Sequence, residues 1–370
     1  MTRIKFVAAF AAALFLTAVS GQGFAQTGKD FNETARYLAG LPAASESAET
    51  KAAREATWQQ HASYFNAAWD KLDKQQLSKV RAWSTSQMKP GPRPLFYTFS
   101  GPDFIYANAF FPEASTYVLA GLEPTGPIPA ITPRTRYNLA GLRASLSTIL
   151  NISFFITSDM NSRLRDGEMR GTLPILYVFL ARSGKTIHEV SLVDLDKHGV
   201  AHDVALHGQK KGERTDPGVR IVFSSDDGPK QTLYYFSTDL SDSGTKVSGF
   251  IAFCEKLGMG DALVKSASYL LHGGNFSRTR QFLLDRSQTI VQDDTGVPAR
   301  LFKQEDWLLK PFGAYLGPIE IFPGMFQPQL AQIFRQGKAP KLDFGIGYRY
   351  RGHDSNLLLA IKKNTIAERN

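Results

Sequence analysis

The chain reads as an α/β protein, with α+β as the alternative: a mixed-sheet layered body preceded by a helical segment. Three observations carry that expectation. Residues 29–88 repeat apolar positions at helical spacing and stop at a proline-rich run. Beyond residue 94, short apolar runs bounded by turn residues alternate with longer helical stretches, the mark of a layered body. Neither an internal repeat nor a low-complexity stretch is present, and 43% hydrophobic with 21% charged residues exclude wholesale disorder, collagen-like repeats and a multi-span membrane protein.

Taken in order, residues 1–25 form an expected signal peptide. Arg3 and Lys5 precede an apolar run, Phe6 to Val19, and Gly23 and Ala25 sit at −3 and −1 of a cut before Gln26. That run is shorter than the roughly 20 residues a spanning helix needs. The mature chain is therefore expected to be soluble, exported and periplasmic, with no transmembrane segment. In the helical segment, residues 26–89, Trp58, Ala62, Phe65, Trp69 and Leu72 form an apolar stripe, with His61 packed beside it. Residues 90–94 connect, because prolines at 90, 92 and 94 cannot continue a helix.

The body, residues 95–370, opens with strands Leu95–Phe99 and Thr116–Leu122 around a short helix. Helices follow at Arg136–Leu150 and Thr172–Arg182. His188–Asp196 with Val200–His207, and Val219–Ser224 with Gln231–Ser237, read as hairpins. Helices are expected at 245–257, 261–271 and 276–286, and strands at Thr289–Gln292 and Ile319–Phe322. Phe344–Tyr350 and Asn356–Lys362 close the chain as a hairpin. Cys254 falls on the apolar side of its helix, so it reads as an inert buried thiol, and a single cysteine excludes a disulfide scaffold.

The most distinctive stretch is Leu95-Phe-Tyr-Thr-Phe-Ser-Gly-Pro-Asp103. It places Ser100, Gly101 and Asp103 at the carboxyl end of a strand, where open α/β sheets hold ligands, and Glu123 ends the next strand. The opening is Rossmann-like, but one glycine stands where a dinucleotide fingerprint needs three, so no nucleotide cofactor is expected. Together with Phe344–Tyr348 and Asn356–Lys362, this stretch resembles exported bacterial proteins of uncharacterised function, a resemblance that implies no activity and no site residue.

Other motifs are weaker. His198, His202 and His207 point in different directions along a strand, so no metal is expected. Ser86-Gln-Met-Lys89 and Ser243-Gly-Thr-Lys246 match Ser-x-x-Lys without its partner motifs. Asp293-Asp294 follows a short strand, and His272 ends a helix about 20 residues earlier. Adjacent carboxylates repel and raise one pKa, which suits acid–base work. On the closing hairpin, Arg349 and Arg351 share one strand face opposite Phe344, Ile346, Tyr348 and Tyr350, and offer an anion-binding edge.

The formal charge of +9 falls to +7 without Arg3 and Lys5, and the basic residues are dispersed. Export removes nucleic acid as a partner and favours a small molecule or an anionic envelope component. Two functions follow. One is a periplasmic binding or envelope-accessory protein, with ligand contacts from Ser100, Gly101, Asp103, Glu123, Arg349 and Arg351. The alternative is an envelope hydrolase with Asp103, Glu123, Asp293 and Asp294 as catalytic carboxylates and His272 as helper.

Overall fold

The computed structural model describes residues 28–44, 56–88, 91–152, 169–207, 215–226 and 228–363. The expected leader lies outside the described residues, as do Lys89 and Pro90 of the connector and Asp227 of the second expected hairpin turn.

Among the described residues ten strands form one mixed sheet. They are β1 (Pro94–Tyr97), β2 (Thr116–Gly121), β3 (Lys185–Leu195), β4 (Ala201–Asp203), β5 (Asp216–Ser225), β6 (Gln231–Ser237), β7 (Gly260–Val264), β8 (Ser287–Gln292), β9 (Trp307–Gly313) and β10 (Asn356–Lys362). Their spatial order is β4-β3-β5-β6-β2-β1-β7-β8-β10-β9. The middle five, β6-β2-β1-β7-β8, run parallel. Both flanks are antiparallel.

Alternation along the parallel strands creates two cores. Leu95, Tyr97, Tyr117, Leu119, Leu263 and Val291 face one side of the sheet. Phe96, Val118, Ala120, Ala262, Val264 and Ile290 face the other. Strands buried on both faces carry near-continuous apolar runs, as Leu95–Tyr97 in β1, Tyr117–Ala120 in β2 and Ala262–Val264 in β7 do. The first face is covered by α1 (Gly28–Leu38), α2 (Ala56–Leu72), α3 (Ser78–Gln87), α4 (Phe104–Phe110), α5 (Pro133–Ile152) and α6 (Leu173–Arg182). The N-terminal helices thus share their core with the sheet. A single turn, α7 (Val204–His207), follows β4, and another, α8 (Asp242–Thr245), follows β6. The second face is covered by α9 (Phe250–Lys256), α10 (Ser277–Arg286) and α11 (Pro328–Gln336). None of the helices among the described residues is long and apolar enough to cross a membrane.

His61 packs as its place beside the stripe suggests. It is fully buried, Nε2 meets the Leu38 carbonyl at 2.8 Å, and burial pushes its pKa down to about 4. Cys254 is buried in the second core, and burial drives its thiol pKa well above the ordinary value. A maleimide is therefore expected to label native protein negligibly over hours and to label one thiol per chain in 6 M guanidinium; mass spectrometry counts the adducts.

Several expected elements differ. Residues 261–271 do not form a helix: Gly260–Val264 is the central strand β7, because its apolar run, Ala262–Val264, is too short for periodicity to separate strand from buried helix. The helix expected at 245–257 is split by a turn into α8 and α9. Ile319–Phe322 is not a strand but a turn leading into a 3₁₀ segment, Pro323–Met325. Phe344–Tyr350 is not a hairpin arm: it folds back on itself through one bridge, Ile346 to Arg349, and β10 pairs with β8 and β9 instead. Arg349 and Arg351 consequently do not share a strand face. Val200–His207 is strand only from Ala201 to Asp203. Neither β9 nor α11 is foreseen by the sequence reading.

Candidate functional site

The chain leaves β1 for β2 on one side and later returns to place β7 on the other. Between the carboxyl ends of β1 and β7 the strand order reverses, and open parallel sheets bind ligands at such a point. Among the described residues, five non-glycine residues adopt positive φ, and four of them lie here: Phe99 (59°) after β1, and Ser266 (54°), Ser268 (49°) and Tyr269 (56°) after β7. Such backbone costs on the order of 1–3 kcal/mol per residue and concentrates where a side chain must be aimed.

Asp103 sits at the centre. Its Oδ1 accepts from the Tyr106 N–H at 3.3 Å, which caps α4. Its Oδ2 accepts from the Tyr97 hydroxyl at 2.7 Å and pairs with Lys265 Nζ at 2.8 Å, both side chains being 2% exposed. The ammonium also lies 4.0 Å from the centre of the Tyr106 ring. Burial, then the Asp103 charge, drives the Tyr97 hydroxyl pKa well up, so Tyr97 is a neutral donor.

The next residue, Ser266, ties this group to a second carboxylate. Its N–H donates to Asp293 Oδ2 at 2.9 Å, while Asp293 Oδ1 accepts from the Thr295 N–H and hydroxyl at 2.9 and 2.5 Å. Burial and the adjacent Asp294 charge raise the Asp293 pKa above the usual carboxylate range, against the opposing pull of those hydrogen bonds. Asp294 is raised as well, chiefly by burial. It accepts from the Tyr269 hydroxyl at 2.5 Å and from Asn356 Nδ2 at 3.0 Å. Gly347 closes over Asp293: its φ is +63°, and a Cβ there would fall 1.8 Å from Asp293 Oδ2. The hydroxyl of Ser266 is buried beside it without a hydrogen-bond partner, and Ser268 Oγ meets the Tyr348 hydroxyl at 2.6 Å.

The other sequence-derived candidates fall around this cluster. Ser100 donates to the Gly101 carbonyl and accepts from the Ala120 N–H, which ties the end of β1 to β2. Gly101, at φ +53°, lies against the Glu123 carboxylate. Glu123 is buried and accepts from the Tyr235 hydroxyl at 3.2 Å, one strand away from Asp103. Arg349 donates to the Gly317 and Pro318 carbonyls, and its charge pulls the Asp294 pKa down. Arg351 is exposed and lies over the Tyr350 ring. His272 stands edge-on to Tyr269, and burial followed by the Arg300 charge pushes its pKa down to about 4. His202 pairs with Asp196 at 2.9 Å.

The structure thus ties Asp103 and Asp293 to consecutive residues, Lys265 and Ser266, with Asp294 adjacent, while Glu123 is held by Tyr235 and Arg351 is exposed. Lys265, Ser266, Tyr269 and Tyr97 were missed. The helix expected over 261–271 hid the first three, although glycine before an apolar run and small polar residues after it are the marks of a strand ending in a turn. No family model, curated protein or solved structure matched the chain in comparisons with all three.

Proposed function

We propose that the chain is an exported hydrolase working with carboxylates at the β1–β7 crevice. Asp103 meets Lys265, Asp293 meets the next residue, Ser266, and Asp294 meets Tyr269; this gathering of three carboxylates on the strained segment after β7 carries the reading. A carboxyl with a raised pKa keeps its proton near neutrality and can give it to a leaving group. In this reading Asp293 is that acid, and the unpaired Ser266 hydroxyl contacts the substrate or its attacking water. The Lys265–Asp103 pair fixes the turn that carries Ser266, whose N–H holds Asp293.

A survey of chromogenic esters, phosphate esters and glycosides tests the reading. Turnover of at least one class is expected, with kcat/KM reduced 10²–10⁴-fold in Asp293→Asn without loss of the folded circular-dichroism spectrum. No turnover of any class, or a fully active Asp293→Asn, would favour the second reading, an exported binding protein. One observation supports that alternative: the carboxylates of Asp103, Asp293 and Asp294 already hold hydrogen bonds or an ion pair within the chain. Export rests on the pattern of residues 1–25. Expression in a Gram-negative host is expected to yield a periplasmic product beginning at Gln26, read by intact mass; a cytoplasmic product retaining Met1–Ala25 would refute it.

A further inference from the structure

Away from the crevice, a groove of about 460 Å³ runs between the end of β9 and the last turns of α11. Its size is within the range that holds small molecules. Three aromatic rings form a row along it. Tyr315 stacks on Phe326, with centroids 5.9 Å apart and planes 24° apart, and meets Phe334 at 6.2 Å. Phe326 is 55% exposed, and Leu316 and Ile321 on the same loop are more exposed still. Exposed apolar area of this kind, rimmed by polar residues, is a usual mark of an interaction site.

The rim supplies the second half of the argument. Arg335 and Lys338 line the groove, both exposed, and no carboxylate lines it among the described residues. Gly313, Ala314, Ala331 and Ala339 complete the wall, so side-chain hydrogen-bonding groups of the kind a sugar would need are scarce. The Tyr315 hydroxyl already accepts from the Gln327 N–H at 3.0 Å. An apolar floor with two cations in its lining matches a molecule that is apolar along its length and anionic at its head. A volume of about 460 Å³ is the size of one small amphiphile.

We propose that this groove binds a monomeric amphiphilic anion, with its alkyl or aryl part on Tyr315, Phe326 and Phe334 and its phosphate or carboxylate head at Arg335 and Lys338. The site is independent of the crevice and of any hydrolytic activity there.

Isothermal titration of the full mature chain with n-octyl phosphate, kept below its critical micelle concentration, tests it. Saturable binding to one site is expected. Arg335→Ala combined with Lys338→Ala should weaken it about tenfold or more, as should Phe326→Ala. These positions are exposed, so the folded spectrum should not change. Octanol should bind about tenfold more weakly, and inorganic phosphate should give no saturable heat. Absence of saturable binding, equal affinity in both variants, or binding to phosphatidylglycerol vesicles without binding of the monomer would each overturn the proposal.

Discussion

Lys265→Met is expected to lower the free energy of unfolding by about 3–5 kcal/mol, the largest effect of any single substitution considered for this chain. The reason is the carboxylate left behind rather than the attraction removed. Asp103 is 2% exposed, and without the ammonium its remaining partners are the Tyr97 hydroxyl and the Tyr106 N–H. Adding Asp103→Asn to Lys265→Met should restore most of the loss, because an amide keeps the helix cap and carries no charge. Urea-denaturation midpoints of the two single variants and the double variant measure the recovery. An exposed pair provides the contrast: Arg81 and Asp73 are 46% and 36% exposed, and Arg81→Ala should cost under about 1 kcal/mol. If Lys265→Met cost no more than Arg81→Ala, the Asp103 carboxylate would have to be hydrated or protonated, and the turn after β7 would not depend on the pair.

That experiment bears on why the site was only half legible in the sequence. Asp103, Asp293 and Asp294 stand out because acidic residues within a few positions of the end of an apolar run are visible in one dimension. Their partner is not. Lys265 follows a run too short to declare its own period, and its pairing depends on β7 lying beside β1 across 166 residues, as Leu95 opposite Asp261 records. Parallel neighbours come from distant crossovers, so their adjacency leaves no local trace. Hairpins behave differently: β5 and β6 were readable because a turn fixes their register. The same contrast explains the end of the chain. Asn356–Lys362 reads as a strand in one dimension, but the adjacent Phe344–Tyr350 is not its partner: β9, over 40 residues upstream, occupies that place. Ser100 and Glu123 stand out in the sequence as candidate ligand contacts at strand ends, and the structure has Ser100 accept from the Ala120 N–H and Glu123 from the Tyr235 hydroxyl.

Asp293→Asn is expected to gain stability relative to wild type as the pH rises from 5 to 8. The folded pKa of Asp293 is raised above that of the unfolded chain, about 4. A group of this kind makes its full contribution below the unfolded pKa, where both states are protonated. Above it the unfolded state releases its proton first, so the contribution is lost as pH climbs to the raised folded value. Asp294, also raised, acts in the same sense. Asp196 and Asp242 have depressed pKa values and act oppositely, but they are present in both proteins and cancel in the comparison. The amide has its own pH-independent cost, since its NH₂ must face either the Ser266 N–H that now donates to Oδ2 or the Thr295 N–H that donates to Oδ1. The diagnostic quantity is therefore the difference between the two melting curves as a function of pH. On the order of 2 kcal/mol should shift toward the variant across this range at constant ionic strength. A difference that stays flat would mean that Asp293 is ionised throughout and that the nearby Lys265 charge outweighs burial. Asp293 could then serve as a base but not as the proton donor that the hydrolase reading requires.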